Sequence, residues 1–147
     1  MSSVLLDTNI LLRLVGRSAP EHPVVLAAIK KLSDRGTTFA IAPQVLVEFW
    51  VAATRPVEVN GFGWDPPLVA AALGRLRKRF SLLTEGPELF DRWLSLVERD
   101  GVRGKNAHDA RLAAIALVHS VPQILTLNVS DFARFAGITA IHPAAVA

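Results

Sequence analysis

Five short apolar, β-prone runs alternate with segments of helical period along the 147 residues, and this alternation constrains the fold more than any other feature. The runs are Ser3–Leu6, Thr37–Ala42, Phe80–Leu83, Pro122–Leu127 and Ile138–Ile141. Helical stretches stand between them. Strands separated by helices cannot pair as hairpins, so they pair in parallel, with helices covering both faces of the sheet. The expectation is a three-layer α/β/α sandwich with a mostly parallel central sheet, in a single domain over residues 1–147. In such sheets ligands gather outside the C-terminal strand ends. The residues that follow each run are therefore the ones to inspect.

Local signals place the helices. Thr8 or Asn9 can cap a helix that begins with Ile10, Leu11 and Leu12 and ends at Gly16 and Pro20. Pro23 to Ser33 carries Val24, Val25, Ala28, Ile29 and Leu32 on one face. Pro43 opens a helix running to about Ala53, and Pro66 or Pro67 opens another to about Arg79. Glu85 to Asp100 reads as a helix with Leu89, Phe90, Trp93, Leu96 and Val97 inward. Asn106 is placed to cap a helix over Ala107 to Ser120, and Asn128 to Phe135 reads as a turn with a short helix. Thr54 to Pro67 is a long loop with three prolines, two glycines before Trp64 and room either to shape a groove or to touch a second copy.

Composition narrows the chemistry. There is no cysteine, so disulfides and thiolate metal sites are excluded, and a metal must be held by oxygen or imidazole. The histidines His22, His108, His119 and His142 lack zinc spacing. No apolar stretch reaches the ~20 residues that cross a bilayer, and Arg111 and His119 interrupt the run Ala110 to Val121. A cytoplasmic protein without a membrane partner is expected. The net charge of +3 favours polyanions only mildly. Arg75, Arg77, Lys78 and Arg79 read as a solvated helix face.

The acids carry the functional signal. Asp7 follows the first strand. It is either a helix cap or, with Thr8 and Asn9 capping, a group free to face the strand ends. Glu48 lies among Val45, Leu46, Val47, Phe49 and Trp50, and only Gln44 shares its polar stripe. It is either a solvent-facing acid or a buried one in need of a partner. Asp109 sits three residues after Asn106, as in a capping box, yet projects with Leu112, Ala113 and Ala116. Asp131 follows the fourth strand, with Ser130 as a cap and Asn128 as a rival for the same role. Carboxylates gathered at one point repel, and a divalent cation is the usual remedy. Mg²⁺ takes oxygen ligands and can polarise a phosphate and a water.

In order and spacing, Leu5-Leu6-Asp7-Thr8-Asn9, Glu48 in its apolar helix, His108-Asp109-Ala110-Arg111 and Leu125-Thr126-Leu127-Asn128-Val129-Ser130-Asp131-Phe132 resemble the PIN domain, most of all the VapC toxins of bacterial toxin–antitoxin pairs. The resemblance covers essentially the whole chain. It implies cleavage of single-stranded RNA with Mg²⁺ or Mn²⁺, a homodimer, and an antitoxin whose C-terminal segment covers the acidic site. It carries over Asp7, Glu48 and Asp109 as core acids, with Asp131 as the fourth. Asp7, Asp109 and Asp131 would hold metal, and Glu48 would orient or deprotonate water. Thr8, Asn9, Thr126 and Asn128 would support them. Arg13, Arg103, Lys105 and Arg111 flank the acidic blocks and are candidates for RNA phosphates, and Trp64 for a base. Two other readings compete: a nucleic-acid- or partner-binding module without catalysis, and a phosphohydrolase for small phosphoesters. Against the second, Asn9 stands where the second acid of an Asp-x-Asp pair would be.

Overall fold

A computed structural model describes residues 2–147. Five strands form one all-parallel sheet in the order β3-β2-β1-β4-β5. They are β1 (Ser3–Leu6), β2 (Thr38–Ile41), β3 (Ser81–Leu82), β4 (Gln123–Leu125) and β5 (Thr139–Ile141). Six helices join them: α1 (Thr8–Val15), α2 (His22–Asp34), α3 (Pro43–Thr54), α4 (Pro66–Arg79), α5 (Glu88–Asp100) and α6 (Asn106–Val118). Right-handed crossovers step from β1 through β2 to β3 in one direction, which puts α1–α4 on one face. The chain then returns across the sheet to β4, which puts α5 and α6 on the other. Contacts agree: α1 packs on α2 and α3, α3 on α4, and α5 on α6.

The central strands are buried on both sides, as parallel strands are. Leu5, Leu6, Ile41, Ile124 and Leu125 are fully covered. In α6, Ala110 and Leu112–Ala116 are buried nearly all round the helix. From Leu112 onward the helix carries no polar side chain, as suits a helix covered on most of its surface.

The strand order reverses direction between β1 and β4. A crevice opens at the C-terminal side of such a reversal, because the crossovers on either side leave over opposite faces. The chain segments that enter this crevice are the first residues after β1 and β4.

Four expectations about helix ends and faces are corrected. The cap of α1 is Asp7 itself: its extended backbone precedes the helix, and its Oδ1 accepts the Thr8 amide at 2.8 Å. Asn106 is already helical, behind a tight turn in which Gly101 and Gly104 adopt φ of +60°, so no side chain caps α6. Phe90 is not inward. It is 63% exposed, because Leu89 and Leu96 define the buried line of α5 and Phe90 lies about 100° round from Leu89. Likewise Ser130 caps nothing; the 3-10 turn Val129–Phe132 follows Asn128 without a side-chain cap.

The long loop is folded back on the end of α3. Phe62 and Trp64 donate their amides to Ala52 and Ala53, and their rings meet edge-on at 4.7 Å. Since α3 starts at the C-terminal end of β2 and runs away from it, this loop belongs to the far pole of the molecule. Trp64 is packed there beside Phe62 and offers no stacking face near the acids.

Candidate active site

Asp7 is the fixed point of the crevice. β1 and β4 pair in register up to Leu6 and Leu125, and the Asp7 amide extends the ladder to the Leu125 carbonyl at 3.1 Å. The next residue of β4's chain is Thr126, whose own amide bonds to Ile141 and whose side chain is fully buried. Its hydroxyl donates to Asp7 Oδ2 at 2.8 Å and accepts the Asn128 amide at 3.0 Å. Asn9, in the first turn of α1, completes the brace. Its Nδ2 reaches Asp7 Oδ2 at 3.2 Å and Thr126 Oγ1 at 3.3 Å, and its Oδ1 accepts the Leu127 amide at 3.0 Å. Apart from the Thr126 bond to Ile141 and the Asn128 bond to Thr126, each of these bonds crosses between the two strand ends or orients Asp7. The Thr8 hydroxyl differs: it is buried without a partner, and Thr8 serves Asp7 through its backbone alone.

The other acids come to the same place. The pKa of Asp7 is raised, first by burial, with the charge of Asp131 adding to it; the Thr126 and Asn9 bonds work the other way. Glu48, half-buried on α3, is raised by burial and by the charge of Asp7. Asp109 is pushed up to about 6, first by burial and then by Asp131, Asp7 and Glu48 in that order. For one carboxylate to raise another's pKa in this way, the two must lie near each other in a partly water-excluded space. The one nearby counter-charge is His108, which favours the ionised forms of Glu48 and Asp109. Acids from four separate blocks of sequence thus converge. Asp131 joins the group from an exposed turn, and the Asn128 side chain has no bond to any of them; Asn128 contributes its amide.

The oxygen-only donor set suits a hard divalent cation. Asp7 has both oxygens oriented by donors, two on Oδ2 and one on Oδ1, which leaves a lone pair free on Oδ1, and the unpartnered Thr8 hydroxyl leaves one polar group beside it unserved by protein. Among the described residues no three His, Asp or Glu side chains stand together in metal-ligating positions.

Beside the acids lie two connected hollows. One, of about 430 Å³, is lined by Pro43, Gln44, Val47, Glu48, Glu85, His108 and Arg111. The other, of about 510 Å³, runs on past Glu85 and Arg111 to Leu89, Phe90 and Trp93. Trp93 is held by its indole N–H on the Ala107 carbonyl at 2.9 Å, and Phe90 leans on it with ring centres 5.6 Å apart. Arg111 stands where the hollows meet. It is not a free cation: it donates to Glu85 at 2.6 Å and to Gln44 at 3.1 Å. Arg13 sits at the other end of α1, 3.7 Å from Glu21, away from the acids. Arg103 and Lys105, exposed in the turn before α6, have no ion-pair partner among the described residues. Gln44 shares the polar stripe of Glu48 on α3, but nothing local announces Glu85, which lies 26 residues from the arginine it meets.

The sequence matches the PIN domain over residues 4–138. The chain belongs to the PIN-domain family. This PIN domain is 30% identical over 136 residues to Ribonuclease VapC24 of Mycobacterium tuberculosis, across 88% of its own length and 89% of the relative's. Its fold is shared with VapBC2 of Rickettsia felis, solved on a promoter DNA fragment, at a TM-score of 0.72 and 17% identity over 95% of this chain and 98% of that one. DNA-bound VapBC of Salmonella typhimurium gives 0.70 at 18% identity over 97% and 99%. The PIN fold expected from the sequence is thus the fold observed. Among the described residues no helix is long and apolar enough to cross a membrane.

Proposed function

We propose that this PIN domain is a Mg²⁺- or Mn²⁺-dependent endoribonuclease that cuts single-stranded RNA, acting as the toxin of a toxin–antitoxin pair. The observation that carries this reading is Asp7, braced by Thr126 and Asn9 in the crevice where the strand order reverses, with Glu48, Asp109 and Asp131 near enough for their charges to bear on the cluster. Kinship to a ribonuclease VapC supports the substrate class.

Asp7, Asp109 and Asp131 are assigned the cation. When bound, it neutralises their repulsion, draws charge from a phosphate oxygen and acidifies water. The rest falls to the chain. Thr126, Asn9 and the Thr8 amide hold Asp7 in one orientation, so no rearrangement is needed at the moment of reaction. Glu48 is half-buried with a raised pKa, which makes its carboxylate a better proton acceptor near neutral pH, and it takes the proton of the attacking water. Arg103 and Lys105 offer free positive charge to the RNA backbone.

The hollow at Phe90 and Trp93 is mostly apolar, adjoins the one that Glu48 lines, and suits an apolar segment of the antitoxin. The exposed stripe Val47, Trp50 and Val51 on α3 is a surface for a second copy of the chain. A non-catalytic module and a small-phosphoester hydrolase are both less favoured. The first leaves the cost of four coupled acids without a use, and the second leaves the open hollows without one.

The deciding experiment is cleavage of a single-stranded RNA by wild type and Asp7→Asn, with and without EDTA, with Mn²⁺ added back. Cleavage lost on chelation, restored by Mn²⁺ and absent in D7N is the expected result. Cleavage that persists through both changes refutes the metal mechanism.

A further inference from the structure

Glu48 and Asp109 must keep a set spacing for the proposed chemistry, yet they ride on helices that hardly touch. α3 is packed on α1 and α4, α6 is packed on α5, and direct packing between α3 and α6 is slight. Helices of different layers that share so little contact can shift against each other by a fraction of an ångström without loss of core. Something other than core packing has to register them.

One side chain does so. Gln44, in the first turn of α3 and one turn before Glu48, donates its Nε2–H to the carbonyl of His108 at 2.8 Å. That carbonyl belongs to the residue next to Asp109. The other end of the same amide, Oε1, accepts from Arg111 Nη1 at 3.1 Å, and Arg111 Nη2 in turn donates to Glu85 at 2.6 Å. The amide is therefore directional. Turned over, it would set oxygen against the His108 carbonyl and N–H against the guanidinium, and both contacts would repel. The amide also bears on the Glu48 carboxylate, whose pKa it lowers. A single planar group thus spans from the helix of one acid to the backbone beside the other, with the Arg111–Glu85 pair clamping it from behind.

From this arrangement we infer that Gln44 is a positioning residue, which fixes α6 to α3 and so sets the separation of Glu48 and Asp109. It touches neither water nor phosphate in this role. A displaced supporting group costs catalysis through misplacement of the groups it holds, by about 10–100-fold in metal affinity or rate. The inference relies on the nuclease reading for its kinetic readout but not for its structural one.

The test uses Gln44→Leu, which keeps the volume and loses both bonds, and Gln44→Glu, which keeps the acceptor for Arg111 and loses the donor to His108. Four quantities are read: kcat and KM on single-stranded RNA, Mn²⁺ affinity by calorimetry, melting temperature, and hydrogen exchange at the Leu112 and Ala113 amides in the first turns of α6. In both variants kcat should fall about 10–100-fold with KM within about twofold, and Mn²⁺ should bind about tenfold more weakly. Exchange at Leu112 and Ala113 should quicken while the chain stays folded. Either variant keeping wild-type kcat and wild-type exchange overturns the inference. So does a loss of activity that merely follows the unfolded fraction in the melt. A wild-type chain that neither cuts RNA nor binds Mn²⁺ removes the nuclease reading, and the exchange measurement then decides on Gln44 alone: faster exchange supports its role, and unchanged exchange ends it.

Discussion

Removing one charge from the acid cluster should make the metal-free protein more stable while it kills the chemistry. Asp109 is raised from 3.8 to about 6, by burial first and by Asp131, Asp7 and Glu48 next. An acid with a raised folded-state pKa holds its proton more tightly in the folded chain than in the unfolded one. Folding is therefore penalised as pH climbs from about 4 to about 6, and the whole penalty stands at pH 7.5. At about 1.4 kcal/mol per pH unit the shift sets an upper bound near 3 kcal/mol. Asp109 is only half-buried and water screens its neighbours, so about 1–1.5 kcal/mol is the expected cost. Asp109→Asn keeps the shape and discards the charge. For a chain of this size the melting temperature should rise by about 2–6 °C at pH 7.5 in EDTA. The gain should vanish at pH 4, where the wild-type acid is already protonated. Mn²⁺ should raise the melting point of wild type and do little for D109N, because a ligand stabilises only the state that binds it. A D109N protein that melts at or below wild type at pH 7.5, or whose gain does not depend on pH, would refute the reasoning.

Two other substitutions probe the surroundings. Thr126→Val removes the hydroxyl that donates to Asp7 and leaves the Asn128 amide without its acceptor. It should cost about 1–3 kcal/mol in thermal or denaturant melts and move the acid limb of the cleavage pH profile to higher pH, since Asp7 loses its main lowering influence. Phe90→Asp should leave melting unchanged, because the ring is largely exposed, yet weaken binding of the cognate antitoxin by about tenfold or more in a titration, a loss of about 1.4 kcal/mol.

Much of this fold is written locally. Ser3–Leu6 reads as a buried strand because four residues without a charge precede a polar triplet, and Pro43 marks the start of α3 because its missing amide costs nothing there. The positions of Asp7, Glu48 and Asp109 follow from those elements once the sheet is known to be parallel. What stayed hidden depends on which partner lies opposite. Three successive polar residues could each have capped α1, and only the backbone path out of β1 selects Asp7. Phe90 and Leu89 are adjacent apolar residues at the edge of one stripe, and the packing of α5 on α6 decides which of them is covered. Arg111 reads as a free cation because the acid nearest it in sequence, Asp109, is two residues back and so points to a different side of the helix. Its partners Gln44 and Glu85 are 67 and 26 residues away, and no local pattern announces them. The raised pKa of Asp109 is likewise a property of the gathering and not of any one segment.

The doubled employment of Asp7 has a practical and an evolutionary side. Because one of its oxygens starts α1, trading it for alanine would damage the scaffold along with the reaction, and the resulting failure could be blamed on either. Asparagine can still take the cap, so it spares more of the architecture than alanine does, although its amide nitrogen cannot accept from Thr126 and Asn9. By the same logic, lineages that abandon cleavage would be expected to drift first to asparagine, serine or threonine at this place, residues that a helix start tolerates. A small, capping-competent side chain there would then be the lasting trace of an acid that once worked.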